Sequence, residues 1–172
     1  MKVLCYPNDV LTKPAQKVAV FDPKLRDTAQ RMFEAMYAAS GVGLAAPQVG
    51  LSIRLAVMSC SGQDEGELVL VNPEILDSHG QAVTEEGCLS FPGIYARIQR
   101  AAAVKFSYQD VDGRTHLLDA EGLNARAVQH EIDHLDGVLL YDRMTPVQRM
   151  ANRRALKMLE LRQAHGSDTF VG

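Results

Sequence analysis

A helix predicted over residues 123–136 constrains the fold more than any other segment. Apolar side chains recur around most of its surface, so the helix must be largely buried. The apolar residues lie along two ridges of the helix. One ridge contains Leu123 and Ala127 together with His130 and His134, and the other contains Val128, Ile132 and Leu135. Because unpaired burial of polar groups costs free energy, the histidines need partners. Other elements must therefore surround this helix and supply those partners.

The remaining segments predict an α+β domain with mainly antiparallel strands around this central helix. An N-terminal amphipathic helix over 22–40 begins with Asp22 as its cap and Pro23 at its first position. A C-terminal helix covers about 146–164. The β-rich segments between them are 53–59, 67–76 and a hairpin over 103–120 with Asp112-Gly113 as its turn. No repeat or linker divides the chain, so residues 1–172 are expected to form a single catalytic domain.

The composition is that of a soluble globular protein, with 47% hydrophobic and 23% charged residues. The net charge of −3 gives no sign of a nucleic-acid binder. The N-terminus lacks the apolar run of a secretory signal, and no segment reaches the ~20 apolar residues of a membrane span. We therefore expect a cytoplasmic protein without membrane contact. Cys5, Cys60 and Cys88 are then free thiols or metal ligands rather than disulfide partners.

The segment HEIDH at positions 130–134 has the spacing of a metal site. Residues four apart share one face of a helix, so His130 and His134 can direct both imidazoles at one ion. Glu131 lies about 100° around the helix from His130, within reach of a water on the metal. The pattern indicates two ligands and a general base. The alternative is an ordinary polar helix, because three fixed positions in five also occur by chance.

A catalytic site of this kind needs a third protein ligand and one open position. Leu140 stands where the extended H-E-x-x-H-x-x-G-x-x-H pattern requires a third histidine, which excludes that pattern. Glu160 is a conceivable ligand farther along the chain. Cys88, in the segment EEGCLS at 85–90, is the stronger candidate, although a lone cysteine is more often a small buried thiol.

Three segments occur together in a specific order: GVGLAAPQVG at 41–50, EEGCLSFPG at 85–93 and QHEIDH at 129–134. In order and spacing they resemble the three signature motifs of the peptide deformylase family, G-φ-G-φ-A-A-x-Q, E-G-C-L-S and H-E-x-x-H. All three motifs are intact, and the resemblance extends over nearly the whole chain. Three motifs in order are far more specific than one.

The resemblance implies a metal-dependent hydrolase in which Cys88, His130 and His134 bind one divalent metal. The family's native ion is usually Fe²⁺, which Zn²⁺, Ni²⁺ or Co²⁺ can replace. Glu131 would be the general base and acid that acts on a metal-bound water and on the leaving amine. The Gln48 side chain and the Leu89 N–H would stabilise the oxyanion.

The implied substrate is the N-terminal formylmethionine of newly synthesised proteins, from which the enzyme would remove the formyl group as formate. In the family, the stretch containing Gly41 and Gly43 pairs with the extended backbone of the substrate. An apolar pocket would receive the methionine side chain, and its predicted lining is Val42, Leu123, Ala127 and His130. Ordinary core packing is the alternative explanation for Val42, Leu123 and Ala127.

Two features outside the motifs bear on specificity and partners. Arg126 stands where an apolar residue is expected near the pocket mouth, so it is expected to shape the rim. The C-terminal helix is basic, with Arg149, Arg153, Arg154, Lys157 and Arg162. Such a face is usually only solvated, but in some bacterial deformylases this helix docks on ribosomal RNA.

Three hypotheses about function follow from these motifs. The first is a deformylase, the second is another H-E-x-x-H metallohydrolase such as a zinc peptidase, and the third is a metal-binding but catalytically silent relative. Gln48 and Leu89 favour the first over the second, and an intact Glu131 argues against the third.

Overall fold

The computed structural model describes residues 1–59 and 66–164 and the backbone of residues 169–170. Cys60 lies outside these ranges, and neither Cys5 nor Cys88 forms a disulfide. The α-helices of the described residues are α1 (Pro23–Ala38), α2 (Gly122–Leu135), α3 (Leu140–Arg143) and α4 (Pro146–Ala164). Three of them confirm the predicted helices to within two residues, and α3 is an additional short helix. Among the described residues, no helix combines the length and apolar character that crossing a membrane requires.

The strands confirm a mainly antiparallel α+β fold. In chain order they are β1 (Val3–Leu4), β2 (Gly43–Ala45), β3 (Leu55–Ser59), β4 (Glu67–His79), β5 (Ala82–Gly87), β6 (Tyr95–Arg100), β7 (Ala103–Gln109), β8 (Thr115–Glu121) and β9 (Thr169–Phe170). The largest sheet has the order β2-β3-β4-β7-β8, and every neighbouring pair in it is antiparallel. β5 and β6 form a separate hairpin, and β1 pairs with β9.

Helix α1 begins where its sequence predicts. The Asp22 side chain accepts a hydrogen bond from the Leu25 N–H at 2.9 Å, and Pro23 occupies the first helical position, where no N–H is needed. Its buried face is Leu25, Ala29, Met32, Phe33, Ala35 and Met36. This face joins one core cluster with residues of β2, β3 and β4, so α1 covers one face of the large sheet near its β2 edge.

The predicted hairpin over 103–120 is confirmed as β7 and β8, with Phe106 opposite Leu118. The segment that connects the two strands, residues 110–114, is longer than the two-residue turn that Asp112-Gly113 suggested. Gly113 has a φ of 80°, a left-handed conformation that favours glycine. The Gly113 N–H donates to the Asp110 carbonyl at 3.0 Å, which closes the turn.

Strand β6 was not predicted from the sequence, and its burial pattern explains why. Its segment YARIQR alternates between exposed and buried positions, as a strand with one buried face should. The three buried positions are Ala96, Ile98 and Arg100. Because an arginine occupies the last of these, the segment looks polar rather than alternating. The same arginine proves central to the site described below.

Helix α2 packs against the large sheet, and its residues Ala125, Ala127, Val128, Ile132 and Leu135 join a core cluster with β2, β3, β4, β7 and β8. A third core cluster lies beneath α3 and α4 and includes Phe91, Ile94 and Ile98. The prediction of a largely buried central helix is therefore confirmed. Its buried polar residues are Glu131, Asp133 and His134.

Candidate metal centre

A cavity of about 470 Å³ opens between β2, β5 and the first turns of α2. β2 pairs only with β3, and β5 pairs only with β6, so among the described residues each has one backbone edge without a neighbouring strand. The cavity is lined by residues of all three predicted motifs. It is therefore the place where an extended ligand could meet the motif side chains.

Three potential metal ligands meet at this cavity. The ligand atoms of Cys88, His130 and His134 all lie within 4.8 Å of one another. The Cys88 Sγ is 3.2 Å from the His134 Nε2, and the two imidazole rings stand edge to face with centroids 5.0 Å apart. Glu160, the alternative ligand from the sequence, is not part of this group. The structure thus brings together the three residues predicted as ligands.

Local structure explains how distant segments reach one point. His130 and His134 are four residues apart on α2, so they project from the same face on successive turns. Cys88 follows the last residue of β5, in a turn closed by a 2.8 Å hydrogen bond from the Phe91 N–H to the Cys88 carbonyl. The cysteine is thereby held at the end of an ordered hairpin strand.

Two buried polar atoms of this site have no hydrogen-bond partner among the described residues: the Glu131 Oε2 and the His134 Nδ1. Buried polar atoms are normally paired, so the unpaired Glu131 Oε2 beside the ligand atoms indicates a missing species, whereas the His134 Nδ1 lies on the opposite side of its ring from the Nε2 that faces Cys88. One thiolate, two imidazoles and a nearby carboxylate match a divalent ion with three protein ligands and one open position. The residues present therefore fit a metal.

The Glu131 side chain is enclosed next to the ligands. It is only 3% exposed, and burial raises its pKa to about 7. A methyl group on Gly43 would overlap the Glu131 carboxylate, with the Glu131 Cδ only 2.8 Å away. The sequence suggested that Gly43 leaves room for substrate. The structure shows that the absence of a side chain at Gly43 also leaves room for Glu131.

The Gln48 side chain is held in one orientation by three contacts. Its Oε1 accepts from the Ala45 N–H at 2.9 Å. Its Nε2 donates to the Ser90 Oγ at 3.1 Å and approaches the Cys88 Sγ at 3.6 Å. Because the oxygen is engaged by the backbone, the amide N–H groups must face the cysteine. Ser90, fully buried, was given no role from the sequence.

The residues predicted to bind substrate also line the cavity. They are Gly41, Val42, Gly43, Leu123 and Ala127, beside Gln48, Cys88, Leu89, His130 and Glu131. Val42 and Leu123 are about half exposed, whereas Ala127 is buried. Arg126 lies on the rim, where its guanidinium donates to the Glu85 carbonyl at 3.3 Å. His134 is buried beneath the cavity.

Comparison with known proteins agrees with this geometry. The family model for polypeptide deformylase matches residues 1–150. The chain belongs to the peptide deformylase family. Peptide deformylase 1 of Bacillus anthracis is 49% identical over 145 residues, which cover 84% of this chain and 92% of that protein. The peptide deformylase of Thermodesulfovibrio yellowstonii is 43% identical over 91% of this chain and 96% of its own length.

Solved deformylase structures share the whole fold. The Legionella pneumophila peptide deformylase superposes with a TM-score of 0.88 at 45% identity, over 95% of this chain and 96% of that one. Arabidopsis thaliana peptide deformylase 1B, in complex with an inhibitor, gives a TM-score of 0.93 at 39% identity, over 97% and 94% of the two chains. The chain is thus a hydrolase of the deformylase class, a metal-dependent family.

The deformylase motifs contain one important contact that the sequence did not reveal. The His130 Nδ1 lies 3.2 Å from the Glu86 Oε2. Glu86 in turn receives two hydrogen bonds from the Arg100 guanidinium, at 2.7 and 3.0 Å. Burial alone would raise the pKa of Glu86, but the hydrogen bonds from His130 and Arg100 hold it below its ordinary value. The position of Glu86 two residues before Cys88 was the only sequence signal.

Proposed function

We propose that this deformylase removes the formyl group from the N-terminal formylmethionine of newly synthesised proteins and releases formate. One observation carries the proposal: three ligand atoms within 4.8 Å of one another adjoin a cavity that also contains a buried glutamate and an oriented glutamine. Family membership supports the same reaction. The presence of Gln48, and of Leu89 directly after Cys88, favours deformylation over a peptidase reaction.

Cys88, His130 and His134 are proposed to hold one divalent metal, and Fe²⁺ is the proposed native ion. Zn²⁺, Ni²⁺ and Co²⁺ are proposed substitutes, because imidazole and thiolate ligands suit several ions of this series. When bound, such an ion acidifies a coordinated water and polarises a carbonyl oxygen. The thiolate distinguishes this ligand set from the histidine and carboxylate sets of common zinc peptidases.

Glu131 is proposed as the general base and acid. Its carboxylate is buried next to the proposed ligands, where one side chain can both accept and return a proton. Its Oε2, which has no hydrogen-bond partner within the described ranges, is available for that proton. We propose that the carboxylate takes a proton from the attacking water and passes one to the leaving amine of methionine.

Gln48 and Leu89 are proposed to stabilise the negative charge that develops on the formyl oxygen. The Gln48 amide is already oriented, because Ala45 holds its oxygen. It therefore needs no reorganisation when charge appears, which is the condition for an effective oxyanion donor. The Leu89 N–H, directly after the cysteine ligand, is proposed as the second donor.

The substrate is proposed to bind as an extended strand between the two sheet edges. Residues 41–43 and 85–87 both line the cavity, and an unpaired strand edge can bind a peptide backbone. The methionine side chain is proposed to lie against the apolar group of Val42, Leu123 and Ala127, next to His130. Gly41 and Gly43 let the backbone approach closely.

The experiment that tests this function is formate release from formyl-Met-Ala-Ser by anaerobically purified protein of known metal content. We expect rapid release with about one metal per chain, and no cleavage of unformylated Met-Ala-Ser. Absence of release despite full metal loading would indicate a silent relative. Cleavage of the unformylated peptide would indicate a peptidase. The same assay on iron and nickel forms tests the metal, because air should inactivate the iron form alone.

Residues 1–172 are proposed to act as a single catalytic domain in the cytoplasm, where new polypeptides emerge. A ribosome contact through α4 is a further proposal. Of its basic residues, Arg149 stacks on Tyr141 at 4.3 Å and Lys157 pairs with Glu160 at 3.0 Å. The exposed Arg153, Arg154 and Arg162 are the stronger candidates. Pelleting with 70S ribosomes in low and moderate salt tests the contact, and no co-sedimentation at low salt would refute it.

A further inference from the structure

Arg143, the last residue of α3, lies nine residues after the end of the third family motif and makes a two-point contact with a residue of that motif. Its Nε donates to the Asp133 Oδ2 at 2.9 Å, and its Nη2 donates to the Asp133 Oδ1. Asp133 is one of the two variable residues of HEIDH and lies between the two histidines on α2. A paired contact of planar groups is the most directional ion pair that a protein can form.

Asp133 also contacts the interior of the site. Its Oδ2 accepts a hydrogen bond from the Arg100 Nη1 at 2.8 Å. Arg100 also donates to Glu86 through its Nε and its Nη2. The Arg100 and Glu86 side chains are 5% and 4% exposed, and Asp133 is 12% exposed. A continuous chain of contacts therefore runs from Arg143 at the surface through Asp133 and Arg100 to Glu86.

The charges of this chain balance only when Arg143 is included. Glu86 and Asp133 carry one negative charge each, and Arg100 alone supplies one positive charge. Arg143 supplies the second, which gives two cations and two anions. Buried charges are costly unless they are paired, so the loss of one member leaves another uncompensated. Without Arg143, both carboxylates would compete for the single Arg100 guanidinium.

Glu86 is the member that reaches a proposed metal ligand. With His130 ligating through its Nε2, its Nδ1 carries a proton and donates to the Glu86 carboxylate. The contact between Arg100 Nη2 and the same Nδ1, at 3.4 Å, is then only a neighbouring approach of two donors. The direction in which His130 faces the metal therefore depends on where Arg100 holds Glu86.

We infer that Arg143 is a positioning residue of the metal centre: its two-point contact with Asp133 leaves Arg100 engaged with Glu86, which fixes the His130 imidazole. Arg143 is 46% exposed and lies outside the residues that line the cavity, so it acts through the others rather than on the substrate. The inference rests on the proposed metal site but not on the proposed reaction.

The test measures metal binding rather than turnover. Arg143→Met removes both contacts, and Arg143→Lys keeps the charge but loses the planar two-point geometry. Arg26→Met and Arg26→Lys are matched controls, because Arg26 also forms an exposed pair with an aspartate, Asp112, at 2.6 Å. For each folded variant, Co²⁺ affinity is measured by chelator competition, and the visible absorption spectrum of the Co²⁺ form reports the ligand geometry.

We expect Arg143→Met to weaken Co²⁺ binding about tenfold, the lower end of the range for outer-shell partners, and to shift the absorption bands. Arg143→Lys should show a smaller change of the same sign, and both Arg26 variants should match the wild type. Wild-type affinity and spectrum in both Arg143 variants would overturn the inference, whatever the change in thermal stability.

Two other experimental results would also test the positioning role of Arg143. If Arg143→Met does not fold, Arg143→Lys decides alone, and a wild-type spectrum and affinity in that variant refute the inference. If the wild-type protein binds no metal, the metal centre itself fails and the positioning role fails with it. Normal metal binding with no response to Arg143 would refute the positioning role alone.

Discussion

The pairs Glu86–His130 and Asp110–His116 bring the same two functional groups together in opposite surroundings. At the candidate metal centre the His130 Nδ1 is 3.2 Å from the Glu86 carboxylate, and the two side chains are 13% and 4% exposed. At the β7–β8 turn the His116 Nε2 is 2.7 Å from the Asp110 carboxylate, and the side chains are 42% and 26% exposed. The shorter contact is therefore the more exposed one.

The contact distance therefore does not indicate the importance of each pair. The other groups that each carboxylate contacts are more informative. Asp110 otherwise accepts from the N–H groups of Asp112 and Arg114, so it organises its own turn. Glu86 is held by Arg100, which extends the pair into the interior. Water and salt screen the exposed pair, and they have little access to the buried one.

The largest effect is expected from Cys88→Ser, which tests whether the buried pair serves a metal at all. A hydroxyl is a poorer soft ligand than a thiolate, so metal should be lost during dialysis and formate release should fall to background. Metal content and activity are measured on the same samples. Unchanged values would mean that Cys88 is not a ligand and that the buried pair has another purpose.

Glu131→Gln is expected to give the next largest effect and to separate catalysis from metal binding. Removal of a general base typically costs about 10²–10⁴ in rate, whereas the three ligands stay intact. The variant should therefore retain about one metal per chain and lose most of its kcat. Full activity would remove Glu131 from the mechanism. Loss of metal would show that Glu131 instead supports the ligands.

Glu86→Gln tests most directly whether the buried pair Glu86–His130 supports metal binding. The amide keeps the shape of the side chain but loses the charge that holds His130 and Arg100. Outer-shell partners of metal ligands are worth about 10–100-fold in affinity or activity, so chelator competition should show a loss of that size. If the variant bound metal like the wild type, burial and partners would not distinguish the two pairs.

Asp110→Asn is the parallel change in the exposed pair and is expected to give the smallest effect. Its hydrogen bond from His116 lowers the pKa of Asp110 from 3.8 to about 2. A carboxyl with a lowered pKa stabilises the folded state above its ordinary pKa and loses that contribution as the pH falls towards 2. Urea unfolding should therefore separate the variant from the wild type at pH 7, with the gap closing below about pH 4.

Formate release is the control in that experiment, because the Asp110 variant should equal the wild type near neutral pH. A loss of activity comparable with that of Glu86→Gln would contradict the division between a turn-forming pair and a ligand-supporting pair. A gap in stability that does not change with pH would contradict the assigned pKa.

The sequence predicted the elements whose signals are local. The cap at Asp22, the helical spacing of α1 and the apolar ridges of α2 lie within single segments, and each element was confirmed. The spacing of His130 and His134 also specifies one helix face by itself. Their meeting with Cys88 was inferred from the resemblance, because Cys88 and His130 are 42 positions apart in the sequence.

The support around the site was missed because its signals are not local. From the sequence alone, Arg100 is expected at the surface. In the structure, β6 directs its side chain inward, where Glu86 and Asp133 neutralise its charge. Arg143 lies in a four-residue helix that has no periodicity to detect. Ion pairs between distant segments leave no spacing pattern in one sequence, so hydropathy treats each member as solvated.

Gly43 links the assembly of the proposed active site to the packing of α2 against β2. The glutamate proposed as the catalytic base lies on α2. The space that its carboxylate occupies is next to β2, because Gly43 has no side chain there. Neither element contains the working arrangement by itself. The site therefore exists only after helix and sheet have docked. Formate release during refolding would report that docking event. A partly folded chain with correct secondary structure would show no activity.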